Sequence, residues 1–479
     1  MDLRRLQCLV VPAPEFDAAR LPVVGELGAR FAAQGHELAL VGGSVRDGLQ
    51  EGELLPDLDF ATSAHPEATE SCLAGWADAT WDMGRAFGTI GARKGPWRLE
   101  ITTYRADSYD PDSRKPDVVF GDSLVGDLAR RDFTVNAMAV TLPDGQIVDP
   151  YGGAKDIAAR ILRTPGRPAD SFADDPLRML RAARFTAQLG FSVAPEVSAA
   201  ISAMVERIGI VSAERVRDEL VKLVESAEPR RGLALLVDTG LASHVLPELP
   251  ALRLERDEHH RHKDVYEHTL TVLEQVMALE GRLDGGGPDF VVRFAALMHD
   301  VGKPRTRRFG PDGTVTFHHH DVVGAKLTRK RMQALRFPGS DIDAVSTLVE
   351  LHLRFHGYGS GEWTDSAVRR YVRDAGPLLE RLHVLTRADC TTRNRRKAER
   401  LRRSYDQLEE RIIALKAQEE LDAIRPDLDG NDIMAILGVP AGPLVGAAYR
   451  HLLELRMEHG PLGPEQAREE LLSWWASRG

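Results

Sequence analysis

Cysteine is scarce in this 479-residue chain: only Cys8, Cys72 and Cys390, far apart and odd in number. That excludes a disulfide-framed secreted scaffold and a cysteine zinc site, and it suits a reducing, cytoplasmic setting. No run of about 20 apolar residues occurs, so no membrane span is expected. Near the start, Arg4 and Arg5 precede an apolar run that stops at Pro12, too short for a signal peptide. Global positive charge is also absent. The net charge is −10, so any nucleic-acid partner must be held by local basic patches or by shape. There is no internal repeat and no long low-complexity tract. What remains is ordinary: 43% hydrophobic residues, enough to bury cores, in a length that predicts several domains.

The most informative stretch is Leu40-Val41-Gly42-Gly43-Ser44-Val45-Arg46-Asp47, followed by Asp57-Leu58-Asp59-Phe60. Leu38 to Val41 reads as a short buried strand. Gly42 and Gly43 let the backbone turn tightly and approach a ligand closely. Ser44 to Leu49 then opens a helix, whose N-terminal N–H groups favour phosphate oxygens. Arg46 offers a bidentate charge to a triphosphate. On a strand, Asp57 and Asp59 share one face, with Leu58 and Phe60 on the other. Paired carboxylates repel unless a cation lies between them, and hard oxygen ligands suit Mg²⁺. Two such ions clamp the attacking and leaving oxygens of an in-line displacement.

Taken in order, residues 1–37 read as a lead-in and a helix with Leu27, Phe31 and Ala32 on its apolar face. Ile90-Gly91-Ala92 and Trp97 to Tyr104 read as paired strands around a turn at Lys94-Gly95-Pro96. Residues 105–122, rich in Asp, Pro, Ser and Arg, read as a solvated loop. In Leu128 to Ala139, Arg130 and Arg131 offer phosphate contacts, and Asp132 and Asn136 are expected four apart on one helix. Asn136 would reach the sugar or base of a nucleotide. From about residue 155 the pattern is helical. Asp175-Pro176 marks a helix start, and Asp175 and Arg178 can share a face. One carboxylate and one guanidinium can serve the donor–acceptor edge of cytosine and of adenine alike. Guanine and uracil present the reverse polarity and leave buried groups unpaired. Val216, Leu220 and Leu223 give residues 213–223 an apolar face for packing. The basic runs Arg393 to Arg403 (with Arg395, Arg396 and Lys397 at its head) and Lys303 to Arg308 are the best phosphate-contact candidates for an RNA. Pro440 and Pro443 mark a break before a terminal helix ending near Trp474-Trp475.

The Gly42 to Asp47 and Asp57 to Thr62 pair resembles the first motif of the class II tRNA nucleotidyltransferase and bacterial poly(A) polymerase family, in the polymerase-β-like superfamily. Leu128 to Ala139 resembles its second motif and Asp149-Pro150-Tyr151-Gly152-Gly153 its third. Asp174-Asp175-Pro176-Leu177-Arg178 resembles the fourth, with Asp174 where the family usually has Glu. Ala213 to Leu220 resembles the fifth, thought to brace the neck. The resemblance implies Asp57 and Asp59 as catalytic Mg²⁺ ligands and Glu100 as a third carboxylate. It implies nucleotide contacts from Gly42, Gly43, Ser44, Arg46, Arg131, Asp132, Asn136, Asp175, Arg178, Arg181 and Arg184. It also implies a flexible loop at 105–122 that helps switch nucleotide choice.

Further on, His268, His299-Asp300 and Asp389 resemble the HD phosphohydrolase superfamily, which implies a divalent metal of unspecified identity. His320 and His352 are spaced like the extra ligands of its two-metal members.

The fold expected is α+β: a polymerase-β-like head (1–153), a helical neck (154–254), an HD domain (255–392) and a helical tail (393–479). The function implied is template-independent addition of CCA to tRNA 3′ ends from CTP and ATP, in the cytoplasm. Its partners would be ATP, CTP and the tRNA acceptor arm. The alternatives are poly(A) polymerase, an HD-domain phosphohydrolase, and a non-catalytic RNA-binding module. Some poly(A) members carry two adjacent basic residues where this chain has Arg85-Ala86, which favours CCA addition. Uridylyltransferase sensors join similar parts but need a longer chain.

Overall fold

The computed structural model describes residues 21–52, 54–82, 84–85, 88–105, 121, 123–253, 264–311, 314–355, 363–390, 395–419 and 425–477. The chain divides into two compact units, before and after the Val245–Leu246 bond.

The first unit begins with helix Pro22–Ala33, opened by proline at its first turn. It buries Val24, Leu27 and Phe31 completely. Ala32 is exposed, contrary to the expected apolar face, because it lies a step round the helix from Phe31. A seven-stranded sheet follows: β1 (Leu38–Val41), β2 (Asp57–Thr62), β3 (Ala79–Asp82), β4 (Thr89–Lys94), β5 (Trp97–Thr103), β6 (Ala139–Leu142) and β7 (Ile147–Val148). Its spatial order is β3-β4-β5-β2-β1-β6-β7. β2 and β5 run parallel, with Asp59 opposite Glu100, and β1 lies antiparallel to both β2 and β6.

The two faces of the sheet carry different cores. Leu38, Leu40, Leu58, Phe60, Leu99 and Ile101 pack with Val24, Leu27 and Phe31 on one face. On the other, Ala39, Val41 and Ala61 gather with Tyr104 and Leu128. Period-2 alternation therefore puts Asp57 and Asp59 on the face where residues are small. Leu58 and Phe60, both 1% exposed, anchor the strand from behind. Truncating such a side chain as Phe60 to Ala typically costs ~3–5 kcal/mol.

The helix expected to carry Asp132 and Asn136 is not formed. Helix Leu124–Ala129 ends, and Thr134–Asn136 forms a single 3₁₀ turn before β6. Tertiary bonds capture this backbone: the Thr134 N–H donates to the Arg163 carbonyl (2.8 Å), and its hydroxyl donates to Asp156 (2.7 Å). Gly153 packs directly on it, since a Cβ there would lie 2.3 Å from the Thr134 carbonyl oxygen. Asp149 holds that glycine by accepting from the Gly153 and Ala154 N–H groups at 2.7 and 3.0 Å.

The rest of the unit includes a short parallel strand pair, Ile161–Leu162 with Ser192–Val193, where the sequence pattern reads as helical, and helices Pro168–Asp174, Leu177–Leu189, Pro195–Met204, Ala213–Val224 and Pro229–Asp238. Gly232 lets the last approach Leu177–Leu189 closely; a Cβ there would meet the Ala183 carbonyl at 2.4 Å.

Among its described residues the second unit is helical apart from a two-stranded hairpin, Arg308–Phe309 with Val315–Thr316. Helices Val265–Leu279, Phe290–Met298, His320–Ala334, Gly339–Leu351 and Leu379–Ala388 supply its polar centre. The 25-residue helix Arg395–Glu419 follows. After Pro443 there are two helices rather than the one expected, Pro443–His459 and Pro464–Ala476. Gly460 and Gly463, both at positive φ, make the break between them. Among the described residues no helix is long and apolar enough to cross a membrane.

Candidate active sites

In the first unit, a cleft of about 930 Å³ runs between the sheet's small-residue face and the helices after residue 168. Gly42, at φ 71°, forms the turn between β1 and helix Gly43–Glu51. A Cβ on Gly42 would meet Arg131 at 2.9 Å and Asp59 at 3.8 Å, so glycine lets backbone, guanidinium and carboxylate converge. Asp59 and Glu100 face the cleft from adjacent strands. Asp57, two residues away on the same face, and Asp59 itself are both exposed. Partial desolvation by the surrounding cleft walls and the neighbouring Glu100 push the Asp59 carboxyl up to about 6, against the pull of Arg131; Asp57 adds to the rise. A cation would relieve this crowding of like charge.

Ser44 is turned away from the cleft. Its hydroxyl accepts from the Asp59 N–H (3.2 Å) and donates to the Asp57 carbonyl (3.4 Å), tying the helix to the carboxylate strand. Arg46 is buried. It donates to Asp47 (2.7 Å) and to the Asn136 side-chain oxygen (2.6 Å). Asn136 in turn donates to Asp132 (3.0 Å). Asp132 accepts Arg181 Nε at 2.8 Å, and Arg181 lies 3.5 Å from Glu219. Glu219 accepts Arg184 Nε at 2.6 Å. One unbroken polar chain thus links the glycine turn to helix Ala213–Val224. Burial raises the Asp132 carboxyl, but Arg181, Asn136 and the Phe133 N–H outweigh it and hold the group at about 2.

Asp175 and Arg178 line the same cleft. Asp175 caps its helix by accepting the Leu177 N–H (3.1 Å), and its other oxygen accepts Arg215 at 2.8 Å. Arg178 is buried, donating to Ser171 Oγ (2.8 Å) and to the Arg130 carbonyl. Glu219 and Arg215 were not singled out in the sequence. A carboxylate beside Val216, Leu220 and Leu223 on a buried stripe was the available signal for Glu219, since it demands a cationic partner. Loop residues 106–120 and 122, together with Ala86 and Phe87, lie outside the described residues.

The second unit gathers six ligand-type side chains. The ligand atoms of His268, His299 and Asp389 lie within 4.8 Å of one another, as do those of Asp300, His320 and His352. Asp57, Asp59 and Glu100 do not gather so tightly. His299, His320 and His352 each place Nδ1 on a backbone carbonyl three residues earlier, at 2.7, 2.8 and 2.6 Å. That donation fixes the tautomer with the Nε2 lone pair inward, as metal ligands require. Burial, with His299 nearby, pushes His352 down to about 4, so its ring stays neutral. Its Nε2 is buried with no hydrogen-bond partner among the described residues. Against burial, His299 and Lys303 hold Asp300 well below the usual carboxylate range, with Lys303 Nζ 2.6 Å away. The donor set fits divalent cations. Of the basic run after residue 390, Arg396, Arg400, Arg402 and Arg403 are exposed; Arg393 and the Arg395 and Lys397 side chains lie outside the described residues.

Three family models match in series: the poly A polymerase head domain over residues 38–163, the probable RNA and SrmB-binding site of polymerase A over 190–252, and the HD domain over 265–394. The A-adding tRNA nucleotidyltransferase of Deinococcus radiodurans is 36% identical over 445 residues, 91% of this chain and 95% of that one. The chain belongs to the tRNA nucleotidyltransferase family. The CCA-adding enzyme of Bacillus subtilis is 41% identical to this family member over 224 residues, 47% of this chain and 54% of that enzyme. The crystal structure of the Bacillus stearothermophilus CCA-adding enzyme in complex with CTP matches the fold with a TM-score of 0.67 at 25% identity. That match covers 96% of this chain and 98% of that one. The expected architecture, a mixed α/β nucleotidyltransferase head followed by helical domains including an HD domain, is therefore present.

Proposed function

We propose that the first unit adds CCA, without a nucleic-acid template, to tRNA 3′ ends from CTP and ATP in the cytoplasm. The observation that carries this is one cleft lined both by Asp59 and Glu100 and by the Asp175/Arg178 pair. The terminal ribose oxygen of the tRNA would attack the α-phosphorus. The bond to the β-phosphate oxygen would break, and pyrophosphate would leave. Mg²⁺, held by Asp57 and Asp59 with Glu100 beside them, would supply charge to the reacting phosphate. The Gly42–Gly43 turn offers backbone N–H groups to the triphosphate. Arg131 lies over that turn, 2.9 Å from where a Gly42 Cβ would sit. Arg46 and Asn136, bonded to each other at 2.6 Å, fix the wall beside it. Asp175 and Arg178 would read the base edge shared by C and A, with Arg215 and Ser171 orienting them.

A second reading is A-only addition, favoured by the name of the Deinococcus relative, which matches along nearly its whole length. Primer extension separates these readings. Purified enzyme with Mg²⁺ is offered tRNA ending at the discriminator base, at C or at CC, with CTP, ATP or both. CCA addition predicts C, C, A and then arrest. Extension of the CC end alone supports A-only addition, and long A tails on any RNA support poly(A) synthesis.

For the second unit we propose phosphoester hydrolysis. His268, His299 and Asp389 would hold one divalent ion, and Asp300, His320 and His352 a second. These ions would lower the pKa of a water that attacks phosphorus.

A further inference from the structure

We propose that the hairpin Arg308–Phe309/Val315–Thr316 is a base-stacking platform that seats a single-stranded RNA end at the HD centre. This rests on the hydrolase reading of that centre.

Phe309 is 68% exposed, the only aromatic among the exposed large hydrophobic side chains described. A strand of two residues gives it no core to serve. The Arg307 guanidinium lies 4.8 Å from its ring centroid, and Arg308 beside it is exposed. Arg305, Arg307 and Arg308 have no carboxylate partner among the described residues, and the Arg307 Nε is buried without a hydrogen-bond partner. An exposed ring flanked by arginines that have no carboxylate partner among the described residues matches a nucleobase followed by phosphates. Stacking and cation–π contact hold the base, while the charges hold the backbone.

The hairpin's place in the fold gives the platform its task. Its stems join metal-type ligands on both sides, Asp300 before and His320 after. The Phe317 carbonyl, one residue beyond the second strand, accepts from the His320 ring at 2.8 Å. Lys303, 2.6 Å from Asp300, has its Nζ 5.7 Å from the Phe317 ring centroid. Phe309 pairs with Val315, two residues before Phe317. Along the strand that is about 7 Å, the reach of one or two nucleotides. A base on Phe309 would leave the next phosphoester near the six ligands. In hydrolysis of a 3′-phosphate, water oxygen bonds to phosphorus and the phosphorus–ribose oxygen bond breaks. The ribose oxygen takes a proton from that water, and inorganic phosphate leaves.

The test compares two substrates on the full chain supplied with Mg²⁺ or Mn²⁺: p-nitrophenyl phosphate and a trinucleotide carrying a 3′-phosphate. Phe309→Ala should lower the ratio of kcat/KM for the trinucleotide to that for the small ester by about 5- to 150-fold, the range one base stack supports. Arg308→Ala should lower it less and in a salt-dependent way. Hydrolysis of the small ester by the same preparations reports that the second unit of each variant is folded. If the wild-type chain hydrolyses neither substrate, the hydrolase reading falls and this proposal with it. If it hydrolyses the small ester but not the trinucleotide, or if Phe309→Ala leaves the ratio unchanged, the platform alone is overturned.

Discussion

Replacing Glu219 by leucine tests the polar chain that joins head and neck. Glu219 and Arg184 are both buried and 2.6 Å apart. Leucine would leave the Arg184 guanidinium desolvated; of its polar contacts, Gln188 (2.8 Å) remains. Breaking one side of such a pair costs ~3–5 kcal/mol, mostly the uncompensated charge. In a unit of this size ~1 kcal/mol moves the melting temperature by about 2–4 °C. A fall of roughly 6–20 °C is therefore expected in calorimetry. The double variant Arg184→Met/Glu219→Leu removes both charges at similar volume and should recover most of the loss. If Glu219→Leu costs less than about 1 kcal/mol, the pair behaves as a solvated one and the reasoning fails.

Two further outcomes follow from the same cleft. Asp175→Ala should slow CTP and ATP addition about 10- to 150-fold, the loss of one charge-assisted hydrogen bond, and raise the relative use of UTP and GTP; unchanged selectivity in competition assays would remove Asp175 from base choice. Asp132, held near 2 against an ordinary 3.8, contributes about 2 kcal/mol that is fully present above pH ~4 and lost as pH falls toward 2. Wild-type urea stability should therefore fall more steeply than that of Asp132→Asn between pH 5 and 3, and parallel slopes would contradict the assignment.

What was legible in the chain was local. Gly42 and Gly43 announce a tight turn through their own backbone freedom. Asp57 and Asp59 announce a shared face through a two-residue period, and the structure sets them so on β2. The structure depends on distant partners where the reading went astray. The helix expected to carry Asp132 and Asn136 gives way to a 3₁₀ turn because Arg163, Asp156 and Gly153 engage Thr134 from 19 to 29 residues away. Glu219 finds Arg184 across 35 residues, which no spacing rule predicts. Ser44, in the phosphate-binding pattern, also ties its hydroxyl to the backbone of β2. The second terminal helix did have a local signal, Gly463-Pro464, a positive-φ glycine followed by a proline at a helix start.

The most direct test of the account gives wild type, Asp57→Ala and Asp300→Ala the same tRNA ending at the discriminator base, with CTP, ATP and Mg²⁺. The account predicts that Asp57→Ala loses nucleotide addition by ~10³-fold or more, since a ligand for the reacting charge is gone, while Asp300→Ala retains it. Addition by Asp57→Ala at near wild-type rate, or its loss in a folded Asp300→Ala protein, would contradict the placement of the transferase site in the first unit.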